Sequence, residues 1–314
     1  MTFRRNWRDG EIGWAPGAAG IGARIIATAQ AHARRRHCFR PRRRHAAERA
    51  GRSARCLRRA SGKVSGLEGQ ALVNAINPHT PGYETIDPKD PSKYIGFDID
   101  LGEAIGECLG FKLTYKAVTF AALLTTLAAG QADIVISDIY ATKERAKAAD
   151  FITYSKVFDG VLVAKGNPKG INGINMSLCG AAAAENTGYV EVPLIQALIP
   201  ECKKAGKPEP TIQLYDNNAN CIQAILAGRA DTYINDVNTV DSAVKAYPDK
   251  LEKAIAVTIP YSVGIAVPKN KPKFRDAVLA ALIEVQKAGT HMELLKKHGL
   301  DVNNFMEPEI LTAD

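Results

Sequence analysis

Past residue 60 this chain has almost no arginine. All but three of its 19 Arg come earlier, and only Arg145, Arg229 and Arg275 remain beside a charge population made of Lys. Histidine is as scarce, with His79, His291 and His298 alone in the same stretch. No Ser/His/Asp set accompanies them, so general acid–base catalysis has few candidates. Cys179, Cys202 and Cys221 lack zinc-ligand spacing and have no neighbouring His, so neither a metal nor a cofactor is expected. No run of about 18 apolar residues occurs, so the body is not expected to span a membrane.

What the body lacks, the head has in excess. Residues 1–65 hold 16 Arg and one Lys against three acids, a net charge of +14; residues 66–314 carry −6. The head has no apolar periodicity and is expected to be disordered. Three readings stay open for it. It could be a phosphate-attracting arm, a degraded secretory signal spoiled by Asp9, Glu11 and Arg24, or an upstream extension that hides the true export signal.

The body contains a repeat. Gly130-Gln-Ala-Asp133-Ile-Val-Ile-Ser-Asp138 matches Gly228-Arg-Ala-Asp231-Thr-Tyr-Ile-Asn-Asp236 in step. Each copy reads as a helix stopped at Gly and an apolar strand ending at Asp. Open α/β sheets bind ligands beyond the carboxyl ends of their strands. Two such units predict two similar α/β lobes aiming acids into one cleft. Strands alternate with helices from Ala71 to His298, which implies sheets covered on both faces. Thr142 is expected to open a helix as its N-cap. Asn186–Ile199 is expected to be helical, and 254–259 and 263–267 to be separate strands.

Four strings, in order, carry a resemblance: Gly96-Phe-Asp-Ile-Asp-Leu101 with Ala104-Ile105; Thr142-Lys-Glu-Arg145 with Asp150-Phe151; Gly228-Arg-Ala-Asp231 to Asp236; and Val263-Gly-Ile-Ala-Val-Pro-Lys269. They resemble the extracellular solute-binding proteins of family 3, the amino-acid receptors of ABC importers, over residues 70–305. The resemblance implies an α/β, two-lobe, type II periplasmic-binding-protein-like fold, each lobe a sheet flanked by helices, joined by two crossover strands. Lobe one would be 66–160 plus 262–314, and lobe two 164–259. It further implies a periplasmic, monomeric receptor with a small amino acid as ligand and a membrane permease as partner, and no nucleic acid.

Arg145 is the first site candidate. A guanidinium matches a carboxylate bidentately where Lys cannot, and a cation in a first helical turn opposes the helix dipole, so stability does not explain it. The family's matching Arg holds the ligand α-carboxylate. A surface ion pair is the alternative. Asp236 ends an apolar strand, and the resemblance assigns it the α-ammonium; capping the next helix is its alternative role. Asp138 departs from the family, which has a small residue there. By the repeat it faces the same cleft, where it would select a cationic group, unless it is a strand-end turn acid. Tyr140 replaces a small hydroxyl residue, which implies a carboxylate clamp that differs in detail.

Asn186 and Thr187 fall where the family has a Gly-Thr-Thr-like turn offering N–H groups to the carboxylate, with capping as the alternative. Tyr83 occupies the family's aromatic wall position, or packs in the core; Asn77 and Thr80 precede it and would touch the ligand side chain. Cys179 and Cys202 resemble a paired-cysteine subgroup, which implies a disulfide. The acids favour a neutral or basic amino acid, or an opine-like derivative. Two other classes remain: an enzyme, since some dehydratases share the scaffold and Glu185 is a candidate acid, and a ligand-sensing receptor domain.

Overall fold

A computed structural model describes residues 66–313. The expectations placed on residues 1–65 lie outside the described residues.

The first half of the fold begins with β1 (Ala71–Ile76) and a small antiparallel sheet of β2 (His79–Thr80), β3 (Glu84–Asp87) and β4 (Asp90–Ile95). Helix α1 (Phe97–Leu109), β5 (Lys112–Ala117), α2 (Leu123–Ala128), β6 (Ile134–Val135) and β7 (Tyr140–Ala141) follow. The long β8 (Asp150–Ala164) then leads into a second half of β9 (Ala182–Asn186), α3 (Glu191–Gln196), α4 (Ile199–Lys204), β10 (Thr211–Tyr215), α5 (Asn218–Leu226), β11 (Thr232–Asp236) and α6 (Val237–Ala246). The return strand β12 (Leu251–Val267), helices α7 (Pro272–Lys287) and α8 (Thr290–Lys297), and β13 (Ile310–Leu311) close the chain.

One sheet runs in the order β10-β9-β11-β8-β12-β6-β1-β5. Parallel triplets form its flanks: β1 pairs with β5 and β6, and β9 with β10 and β11. Between them β8 and β12, 15 and 17 residues long, run antiparallel and link the halves. This is the two-lobe type II architecture. The strands expected at 254–259 and 263–267 are one strand with a defect: four steps on β12, Thr258 to Ser262, match two on β8, Phe158 to Lys156. Pro260 lies in that bulge, where its missing N–H costs no ladder bond.

Helix α1 shows why these residues fold as they do. Its buried positions Phe97, Leu101, Ile105 and Leu109 recur at i, i+4 and form one apolar stripe against the first half of the sheet. In the second half, apolar clusters cover both sheet faces, one around Leu162, Tyr233 and Val240 and the other around Val161, Ile195 and Ile234.

The repeat is structural. Gly130 and Gly228 adopt nearly the same left-handed φ, 69° and 67°, a conformation glycine takes without a Cβ penalty. Three residues on, each copy places an Asp that exchanges two bonds with a neighbouring strand. Val73 N–H donates to Asp133 Oδ2 at 3.1 Å and Asp133 N–H to Val73 O at 2.8 Å. Ala182 N–H donates to Asp231 Oδ2 at 2.8 Å and Asp231 N–H to Ala182 O at 2.7 Å.

Two expected helices are corrected. Thr142 does cap, its Oγ1 accepting from Arg145 N–H at 3.1 Å, but only a single 3-10 turn, Arg145–Lys147, follows before the chain enters β8. Asn186 ends a strand instead of starting a helix, because Glu185 and Asn186 are held in the ladder opposite Leu214 and Tyr215. The helix begins later, at Glu191, after Gly188 turns the chain at φ 85°. Cys179 and Cys202 are joined by a disulfide with Cα atoms 5.7 Å apart, and Cys221 is a buried free thiol.

Candidate functional site

The halves meet where their strands end. Phe120, before α2, packs at a tilt of 57° against Tyr189, before α3, with centroids 4.2 Å apart. Asn218 Nδ2 donates to His79 O at 3.2 Å across the same divide.

Arg145 bridges this boundary. One terminal nitrogen donates to Tyr140 O at 2.8 Å and the other to Gly188 O at 2.8 Å, while the guanidinium carbon lies 5.2 Å from the Phe120 ring centroid. Neither acceptor is charged, and no carboxylate among the described residues pairs with it. Burial lowers its pKa. Of the five N–H donors of a guanidinium, those two bonds leave three for a ligand.

Opposite stands a group of carboxyls. Asp236, the last residue of β11, makes no cap bond to α6; its Oδ1 lies 3.2 Å from the Tyr140 hydroxyl. The same hydroxyl donates to Asp159 Oδ1 at 2.9 Å. Asp159 comes from β8 and sits directly across the ladder from Asp236. Asp138 is held in the left-handed region at φ 41°, uncommon for a residue with a side chain. Its N–H is fixed by Asp98 Oδ2 at 2.6 Å, and Asp98 also takes the Tyr154 hydroxyl at 2.6 Å. Glu84 accepts from Ser137 Oγ at 2.8 Å. Glu191 opens α3, and Glu185 accepts Ile234 N–H at 3.2 Å.

All seven acids are buried and none forms an ion pair with a described cation. One oxygen each of Glu84, Asp138, Asp159, Glu185 and Glu191 has no partner. The consequences for protonation follow. Burial first, then Glu185, pushes Glu191 up to about 8. Burial raises Asp236 to about 6 against the hydrogen bonds from Asp138 and Tyr140. Asp138 is pushed well above the carboxylate range by burial and then by Asp236 and Asp98. Asp159 is raised by burial and then by Glu191 and Asp236.

Of the residues expected from sequence, Arg145, Tyr140, Asp138 and Asp236 come together. Tyr83 is fully buried, its ring edge-on to Phe97 at 6.0 Å and its hydroxyl 3.3 Å from Ser155 Oγ and from Asn304 Nδ2. Asn77 spends its amide on Val118 O at 2.8 Å, and Thr80 is buried in β2. Asn186 accepts from the Tyr233 hydroxyl at 2.6 Å, and Thr187 bonds Tyr215 O through N–H and Oγ1 at 2.9 and 3.4 Å. Next to them it is the Gly188 carbonyl that faces Arg145. Sequence reasoning missed Asp159, Glu191, Glu84 and Asp98. Asp159 had a readable signal: a charge inside an apolar strand, between Val157 and Val161.

A sheet of two linked halves, with one lone cation and a set of acids at the seam between them, defines a two-lobe receptor for a small solute. The chain belongs to the bacterial extracellular solute-binding proteins, family 3, whose model matches residues 72–301. It is similar to a probable ABC transporter arginine-binding protein, ArtJ, of Chlamydia trachomatis serovar D, at 24% identity over 74% of this chain and 87% of that one. Among solved structures it is similar to an ancestral arginine-binding protein bound to arginine, with TM-score 0.66 and 27% identity over 74% of this chain and 99% of that one. It is also similar to the ancestral amino acid-binding protein AncCDT-1, a precursor of cyclohexadienyl dehydratase, with TM-score 0.58 and 25% identity over 72% of this chain and 94% of that one. The curated relatives named as amino-acid-binding proteins include ABC transporter arginine-binding protein 1 of Escherichia coli, at 26% identity over 68% of this chain and 84% of that one.

Proposed function

We propose that this protein captures a neutral or basic amino acid, or an opine-like derivative, between its lobes outside the cytoplasm and delivers it to an ABC permease. The ligand α-carboxylate sits on the free N–H groups of Arg145, and the α-ammonium on Asp236 with Asp138 beside it. Tyr140 positions both ends, its carbonyl on Arg145 and its hydroxyl on Asp236. Tyr83, Asn77 and Thr80 back the ligand side chain from lobe one; Asn186 and Thr187 hold the turn that presents Gly188 O. The lobes divide at the β8/β12 bulge, with lobe one about 66–160 plus 262–314 and lobe two about 164–259.

One observation carries this reading. A half-buried guanidinium without a carboxylate and buried carboxyls without a cation face the same seam. Each is costly alone. A zwitterion supplies both counter-charges at once, and because Arg145 and Asp236 belong to different halves it favours the closed arrangement.

The test is calorimetric titration of the full chain with the amino acids, with Arg145→Lys and Asp236→Asn as variants. Each variant is expected to lose at least about 2 kcal/mol, roughly 30-fold in affinity. Affinity retained in both would remove this site. A dehydratase-like reading draws on Glu191, whose pKa near 8 suits a general acid. Slow turnover of a bound ligand would favour that reading; recovery of the ligand unchanged would not.

A further inference from the structure

We infer that Asp159 and Glu191 form a second cation subsite beside Asp236, which takes the charged side-chain group, an ammonium or guanidinium, of a basic ligand. This rests on the receptor reading above and names the ligand class within it.

The two acids arrive from independent elements, Asp159 from the crossover strand β8 and Glu191 from the first turn of α3. Asp159 lies opposite Asp236 in the antiparallel ladder, so the two carboxyls share a sheet face. Like charges directly opposite destabilise a sheet, so the fold itself does not call for this pair. Three groups face Asp159: Glu191 from α3, Asp236 from β11 and the Tyr140 hydroxyl from β7. Glu191 faces Asp159, Asp236, Glu185 from β9 and, in the Coulomb sense, Arg145. Only the last is positive, and its two hydrogen bonds from the terminal nitrogens go to backbone carbonyls.

The unmet valence is specific. Asp159 is 0% exposed and Glu191 1%, yet apart from the proton the two acids share, no donor reaches Asp159 Oδ2 or Glu191 Oε2. Tyr140 carries one hydroxyl proton between two acceptors, Asp159 Oδ1 and Asp236 Oδ1, so it cannot satisfy both. Among the described residues no group of three His, Cys, Asp or Glu is spaced to hold a metal ion. Within the receptor reading the cation that fits is organic and carries several N–H donors, one for each unmatched carboxyl oxygen. Both acid positions flank a single hydroxyl, so the ligand's two cationic groups sit on one short chain, as in lysine, ornithine or arginine. Entry of the second cation displaces the proton that Asp159 and Glu191 hold between them.

The test titrates the full chain and its Asp159→Asn and Glu191→Gln variants with L-arginine, L-lysine and L-glutamine, in two buffers of different ionisation enthalpy. The wild type is expected to prefer a basic ligand over glutamine by at least about 10-fold and to release protons on binding it. Each isosteric amide is expected to lower basic-ligand affinity at least about 10-fold, to change glutamine affinity less than about threefold, and to reduce proton release. Melting curves of both variants report folding; if one does not fold, the other carries the comparison. An unchanged basic-to-neutral ratio, or a wild type that binds glutamine as tightly as arginine and lysine, overturns the subsite while the receptor reading stands. A wild type that binds no amino acid at all removes the receptor reading and the subsite with it.

Discussion

Replacing Glu191 by Gln is expected to stabilise the ligand-free protein at alkaline pH. The Glu191 carboxyl is buried and raised to about 8, from an unfolded value near ~4.3. A group raised in this sense binds its proton more tightly folded than unfolded. The stabilisation is complete below the unfolded pKa and disappears as pH rises through the folded one. Between pH 6.5 and 8 the unfolded chain has already lost this proton and the folded chain still holds most of it. The slope there is about −1.4 kcal/mol per pH unit, so about 2 kcal/mol is lost across the window.

The window also avoids His291, whose linkage runs the other way below about 6.5. Asp236, with its value near 6, has largely titrated by pH 7. Glu191 and Asp159 act on one another and titrate as a pair. An amide at 191 removes one charge and leaves Asp159 with less opposing its ionisation. The assay is a urea midpoint, or a melting temperature, at pH 6.5 and 8 for wild type and variant. The wild type should lose at least about 2 kcal/mol, some 4–8 °C or more in melting temperature for a body this size, since Asp138, Asp159, Glu84 and Glu185 are raised in the same sense, and Glu191→Gln should lose clearly less. A wild type whose stability is flat over this range, or a variant with the same slope, refutes the reasoning.

Removing the Cys179–Cys202 disulfide with alanine at both positions opens a loop of 23 residues and is expected to cost about 3 kcal/mol in a denaturant titration; an unchanged midpoint would show that the bridge does not constrain the unfolded chain. His291 is fully buried between Phe97 and Phe305, and burial lowers its pKa to about 4. Its stabilisation is present above about 6.5 and lost as pH falls toward 4, by up to about 3 kcal/mol; His291→Leu should flatten that acid limb, and an unaltered limb would assign acid sensitivity elsewhere.

The repeat made the symmetry of the fold legible in sequence. A glycine stop and an Asp three residues later are local devices, and local devices survive into structure: Asp133 and Asp231 make the same pair of bonds in the two halves. The bulge in β12 was not legible as a bulge. Pro260 falls between the two strands expected at 254–259 and 263–267, and the pairing that carries β12 past it comes from β8, a hundred residues away. The short turn after Thr142 failed for a related reason. Thr142 caps as its chemistry predicts, but β8 claims the chain from Asp150 onward, and the ladder prevails over helix propensity.

The site divides along the same line. Arg145 was legible because arginine is rare in the body, and Asp138 and Asp236 because the repeat superposes them. Asp159 and Glu191 belong to no repeat, and their significance is tertiary: one sits across a ladder from Asp236 and the other is brought over it by α3. Tyr140 ties the two groups together. It departs from the small residue expected there, and a Ser hydroxyl could not span from the lobe-one strand β7 to carboxyls on β8 and β11. A phenol placed between two carboxyls makes sense where a second positive charge is to be held next to the first. Meanwhile Arg145–Gly188 and Phe120–Tyr189 already join the lobes through a neutral carbonyl and a ring pair. Those contacts join the lobes without pairing a charge; in the proposed receptor the charges at the seam are left for the solute.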